Sequence, residues 1–144
     1  MLHELLAAIR YRRPSLTLFS RSVLEAVVLV EGPIGSTDTV ARLLGLQDRF
    51  ALQRHLVRED LPSLRRFSSW VLILSWVRRA ERDGTSLCRL ALRSHRHPSA
   101  CYRLVKEVTG LPWKGVVARG SEWVQGQLLL EFPSKTRGTP KDLC

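Results

Sequence analysis

The side chains best equipped for chemistry in this chain are basic and polar groups gathered between residues 84 and 119. His97, Ser99, Tyr102, Arg103 and Lys106 fall on the outer side, or at the start, of a helix beginning at Pro98, and Arg93 and Arg96 flank the turn before it. A guanidinium pairs bidentately with guanine, while lysine and serine reach phosphate oxygens. A parallel set, Arg49, Gln53, Arg54 and Arg58, stands about fifty residues earlier. There the Gln53 amide has the donor and acceptor pair that reads adenine. Both sets are expected to contact DNA. The competing account is a merely solvated basic face, or, for Arg54 and Arg103, an intramolecular ion pair.

The charge distribution favours a polyanionic partner. The chain has 144 residues with 23 Lys and Arg against 13 Asp and Glu, a formal net charge of +10. Residues 1–36 carry four basic against three acidic side chains, and residues 37–83 carry nine against six. Residues 84–119 carry seven against the single acid Glu107, and residues 120–144 balance at three each. A solvated surface mixes its signs more evenly, so a field concentrated in one stretch points to a bound anion. Arginine-rich coding in a GC-rich genome is the other source of such a composition.

Other chemistries find less support. Cys88, His95, His97 and Cys101 lie within 14 residues, but their spacing is no common zinc pattern, and both cysteines fall on apolar helix faces. No metal and no cofactor are expected. Nothing orients the Ser, His and Asp residues into a nucleophilic arrangement, and there is no phosphate-cradling glycine loop, so an enzyme is not expected. Three cysteines without a secretory leader fit reduced thiols in the cytoplasm, and the longest strongly apolar run, Trp70 to Leu74, is too short for a membrane span.

These side chains need helices to hold them, and the pattern predicts an all-α fold. Leu2, Leu5, Leu6 and Ile9 mark a first helix that Pro14 stops, and Ser20 is a candidate cap for a second, over residues 21–31. Residues 1–35 thus form an N-terminal helical extension. Residues 36–63 hold two short helices: one capped by Ser36 or Thr37 and ended by Gly45, the next opened by Asp48 with Phe50, Leu52 and Leu56 inward. Residues 64–83 form one long linker helix, with Phe67, Trp70, Val71, Leu74 and Val77 on its stripe and Gly84 after it. Residues 84–119 repeat the short pair. Thr85 or Ser86 is the cap, residues 95–97 form the turn, and Cys101, Leu104, Val105 and Val108 point inward. Residues 113–132 add a further helix, with Trp113 and Trp123 expected in the core, and the rest of the C-terminal segment, 120–144, ends in a disordered tail from Pro133.

The two short pairs are an internal repeat. Ala41 matches Ala91 and Leu61-Pro62 matches Leu111-Pro112 at an offset of 50, while Arg54-x-Leu56 matches Arg103-x-Val105 at 49. The second copy has His95 at the turn where the first has Gly45, and is one residue shorter between Ala91 and Arg103.

Ser86-Leu-Cys-Arg-Leu-Ala-Leu-Arg-Ser followed by Arg103-Leu-Val-Lys-Glu-Val-Thr-Gly-Leu-Pro is similar to the C-terminal signature of the AraC/XylS family's DNA-binding domain. Val40-Ala-Arg-Leu-Leu-Gly-Leu with Leu52-Gln-Arg-His-Leu resembles that family's N-terminal unit. The resemblance spans about residues 36–119. It implies two helix-turn-helix units on one linker helix, sequence-specific binding of double-stranded DNA in successive major-groove segments, and transcriptional regulation in the cytoplasm at the nucleoid. With only 35 residues before the first unit, no effector domain and no small-molecule inducer are expected. Two rivals stand beside it. One is a protein-interaction module, its partner a protein or a second copy at the termini, cued by an exposed apolar patch at residues 128–132. The other is a non-specific nucleic-acid binder.

Overall fold

The computed structural model describes residues 2–133, and within them the chain is helical throughout, with no strand. The expected tail beyond Pro133 lies outside the described residues. The helices are α1 (Leu2–Arg12), α2 (Leu18–Val30), α3 (Thr37–Leu43), α4 (Arg49–Arg58), α5 (Leu64–Asp83), α6 (Leu87–Arg93), α7 (Pro98–Thr109), α8 (Trp113–Arg119) and α9 (Ser121–Leu129). None of these is long and apolar enough to cross a membrane.

The long helix α5 is the axis of the core. Ser63 caps it by accepting the Arg66 amide, and Gly84 closes it at φ 68°. Phe67, Trp70, Val71, Ile73, Leu74, Trp76 and Val77 are all buried, so α5 is surrounded on most sides. It packs on α2, α6, α7, α8 and α9. Glu131 joins the C-terminal segment to it by accepting from Trp70 Nε1 at 2.9 Å and pairing with Arg66. Phe132 is fully buried and meets Phe67 edge to face, with ring centroids 5.5 Å apart. The apolar patch expected at 128–132 is therefore mostly core: Leu128 and Phe132 are fully buried, and Leu130 is its exposed apolar member.

Two elements differ from their sequence-based expectation. The cap of α2 is Thr17, whose hydroxyl accepts the Ser20 amide; Ser20 itself sits inside the helix, buried. The single helix expected over 113–132 is two, because Gly120 at φ 89° and ψ 168° breaks it into α8 and α9. Trp113 and Trp123 pack partly buried against the core.

The first short pair, α3 and α4, is anchored by the corner between α1 and α2. Arg13 is buried and donates to the Glu59 and Asp60 carbonyls at the end of α4. The Glu59 carboxylate accepts from the Thr17 and Ser20 hydroxyls and the Thr17 amide. Burial by itself raises the Glu59 carboxyl; these hydrogen bonds and the nearby His55 hold it below the usual carboxylate range. The His55 ring also meets Phe19 of α2, centroids 4.3 Å apart. The N-terminal extension is thus the mounting of the first pair.

Candidate nucleic-acid interface

The internal repeat is reproduced in the backbone. Ser36 and Ser86 each cap the first helix of a pair through the amide three residues on. At the end of that helix, the Leu46 amide donates to the Ala41 carbonyl, and the Arg96 amide donates to the Ala91 carbonyl, both at 2.8 Å. Ala41 and Ala91 are both fully buried, small enough to let the second helix of each pair cross close by. Gly45 and His95 hold the same left-handed turn, at φ 79° and 56°. The missing residue of the second copy falls just after this point: Asp48 is the cap of α4 and His97 the cap of α7, an offset of 49.

The turn chemistry differs between the copies. Asp48 accepts the Ala51 amide, and Asp38 on α3 accepts the Arg49 amide, so the first pair closes with two carboxylates on the start of α4. The second pair has no such acid. Pro98 occupies the first position of α7, where its missing N–H removes one unsatisfied donor. Ser99 Oγ and His97 Nδ1 share a hydrogen bond of 2.8 Å.

His95 makes a direct stability test. A side chain with Cβ costs roughly 1 kcal/mol or more in the left-handed region, and glycine returns part of that as lost backbone entropy. His95→Gly is expected to raise unfolding free energy by about 0.5–1 kcal/mol in urea denaturation. A loss of stability would show that the imidazole contributes more than its backbone strain removes.

Every side chain singled out from the sequence is exposed: Arg49, Gln53, Arg54 and Arg58 on α4; Arg93 at the end of α6; Arg96 and His97 in the turn; Ser99, Tyr102, Arg103 and Lys106 on α7. Their buried counterparts align as the repeat requires, with Leu52 and Leu56 on α4 matching Cys101 and Val105 on α7. Leu104 and Val108, expected inward, are half-buried and pack on the core. Arg54 and Arg103 form no ion pair with any described residue, so the intramolecular role weighed for them is not what holds them. The structure groups these residues as two helix faces: Gln53 with Arg54, and Tyr102 with Arg103 and Lys106. Arg58, on the last turn of α4, stands apart from the Arg49 end.

Phe50 is a correction. The sequence pattern places it inward, but it is 58% exposed in the first turn of α4, with the Arg49 guanidinium 4.9 Å from its ring centroid. The helical period explains this: two residues before Leu52 is about 200° around the helix, opposite the buried face. An exposed aromatic there adds an apolar surface of the kind that meets a thymine methyl.

Cys101 is buried, as its apolar face requires, and burial pushes its thiol up, with Arg96 partly opposing this. Cys88, placed on an apolar face by the sequence pattern, is instead exposed, beside the buried Leu87 rather than in line with it. The four residues weighed as zinc ligands therefore face different environments. Among the described residues, no three His, Cys, Asp or Glu side chains are gathered as a metal would need.

The chain matches no protein-family model, no curated protein and no solved structure.

Proposed function

We propose that this protein binds double-stranded DNA as two helix-turn-helix units, with α4 and α7 as recognition helices in successive major-groove segments, and acts as a sequence-specific transcriptional regulator of the AraC/XylS type. One observation carries the reading. The helix, left-handed turn and helix recur with the same backbone hydrogen bonds fifty residues apart, and at equivalent positions each second helix presents an exposed arginine, Arg54 or Arg103, without a carboxylate partner. Arginines at recognition-helix positions pair with guanine edges, while Arg93 and Arg96 beside the turn suit phosphates. The dimensions are compatible: α5, with 20 residues, is about 30 Å long, against a recurrence of about 34 Å for one face of B-DNA. The protein-interaction rival keeps only a reduced cue, since Leu128 and Phe132 at the two ends of the C-terminal apolar patch are buried in the core and Leu130 is its exposed member.

The test is a selection of duplexes from a random pool, followed by salt titration on selected and random DNA. Six phosphate contacts give a log–log slope of about −5, and a specific site binds roughly a thousandfold or more tighter than random sequence. Equal affinity for both DNAs leaves a charge-driven, non-specific binder. No binding even at low salt removes the DNA-binding reading.

A further inference from the structure

Two adjoining concavities lie along α5, one between the end of α2 and α6 and the other between the start of α3 and the α6–α7 turn, and both have Leu72 of α5 and Arg96 in their walls. Together they form one groove. It starts at Ser36, beside α3, crosses the α5 face at Arg65 and Ser69, and ends at Arg93 and Arg96. Its lining carries four arginines and one acid, Glu31, which is paired with Arg79 at 3.0 Å. Arg65, Arg93 and Arg96 are exposed and make no ion pair with any described residue. The rim is therefore cationic, while Leu72 gives the floor an apolar surface.

We propose that this groove is a third DNA contact, a channel for the sugar-phosphate strand that crosses the minor groove between the two recognition segments. The inference rests on the proposed DNA-binding function. A strand leaving one major-groove segment must pass the protein between the two units before the next segment begins. A channel there meets its phosphates with guanidinium donors and its deoxyribose with an aliphatic floor. Such contacts hold register without reading bases, so they raise affinity for all sequences alike. Arg65 is the residue this adds: it lies on α5, outside both recognition helices, and no motif in the sequence singled it out.

The experiment compares the salt dependence of duplex binding for wild type, Arg65→Gln, Arg65→Lys and Arg10→Gln. Arg10 is exposed on α1, paired with Glu25, and serves as a control for the loss of one positive charge. Each lost phosphate contact lowers the slope by about one unit. Arg65→Gln is expected to lose that unit on selected and random duplexes equally, while Arg65→Lys and Arg10→Gln keep the wild-type slope. Ethylation interference then locates the contact: phosphates whose ethylation weakens wild type but not Arg65→Gln should lie between the two major-groove segments. A steep wild-type slope that Arg65→Gln leaves unchanged, or interfering phosphates only inside the recognition segments, overturns the channel and leaves the DNA-binding function standing. Absence of binding by wild type overturns both.

Discussion

Trp70→Ala is expected to lower the free energy of unfolding by about 3–5 kcal/mol, the scale for deleting a large aromatic from a packed core. Trp70 is 4% exposed in the second turn of α5, and its indole N–H donates to Glu131. The substitution removes the ring from the core and the donor from a carboxylate that also pairs with Arg66. Two helices lose support together, α5 and the α9 segment that Glu131 ends. Against a typical total of roughly 5–15 kcal/mol, the loss is severe. Trp70→Phe gives an intermediate case, since it keeps a six-membered ring in the core but loses part of the indole volume and the hydrogen bond to a carboxylate, the latter worth about 1.5–3 kcal/mol. Urea denaturation of both variants measures the difference. A loss below about 1 kcal/mol for the alanine variant would show that the core closes around the missing ring.

Arg13→Ala is expected to cost about 2–4 kcal/mol, because two part-buried carbonyls at the end of α4 lose charge-assisted donors and the buried Arg13 side chain leaves its packing. Arg13 reaches both from the α1–α2 corner, and Glu59 is held there by Thr17 and Ser20. The effect should be local. Hydrogen exchange is expected to rise in α3 and α4 while α5 to α9 keep their protection. Under the proposed function this has a second consequence: a loosened first unit no longer holds a fixed distance from the second. Affinity for a two-segment DNA site should then fall more than affinity for a half site containing only the α7 segment. Equal losses on both, or uniform exchange across the molecule, would show that Arg13 supports the whole fold rather than the mounting of one pair. The linker helix α5 packs chiefly on α2 and α6 to α9, while the first pair is tied to the N-terminal extension by hydrogen bonds from Arg13, Thr17 and Ser20.

Local chemistry determined the helix plan. Ser36, Asp48, Ser63 and Ser86 are caps because a short oxygen-bearing side chain satisfies amides that the helix leaves free, and that preference acts within three residues. The stripe of α5 and the repeat at offsets of 49 and 50 are likewise properties of neighbours along the chain. The exposure of Arg54, Tyr102, Arg103 and Lys106 follows from the buried positions beside them. Phe50 was legible by the same rule, since its angle from Leu52 points it outward, although hydrophobicity alone argued the reverse.

What only the tertiary structure decided are pairings between groups far apart in sequence. Thr17 and Glu59 are 42 residues apart, and Trp70 and Glu131 are 61 apart. No periodicity announces such a partner, because each depends on where helices cross. Arg65 belongs to the same class: on its own helix it is an ordinary solvated arginine, and the groove it rims exists because α5 lies between the start of α3 and the α6–α7 turn. Phe132 and Leu128 read as a sticky C-terminal patch until α9 is laid on α5, where burial against Phe67 turns the same apolar surface into core. Apolar side chains state only that they will leave water; which surface receives them is fixed by the packing of the whole chain.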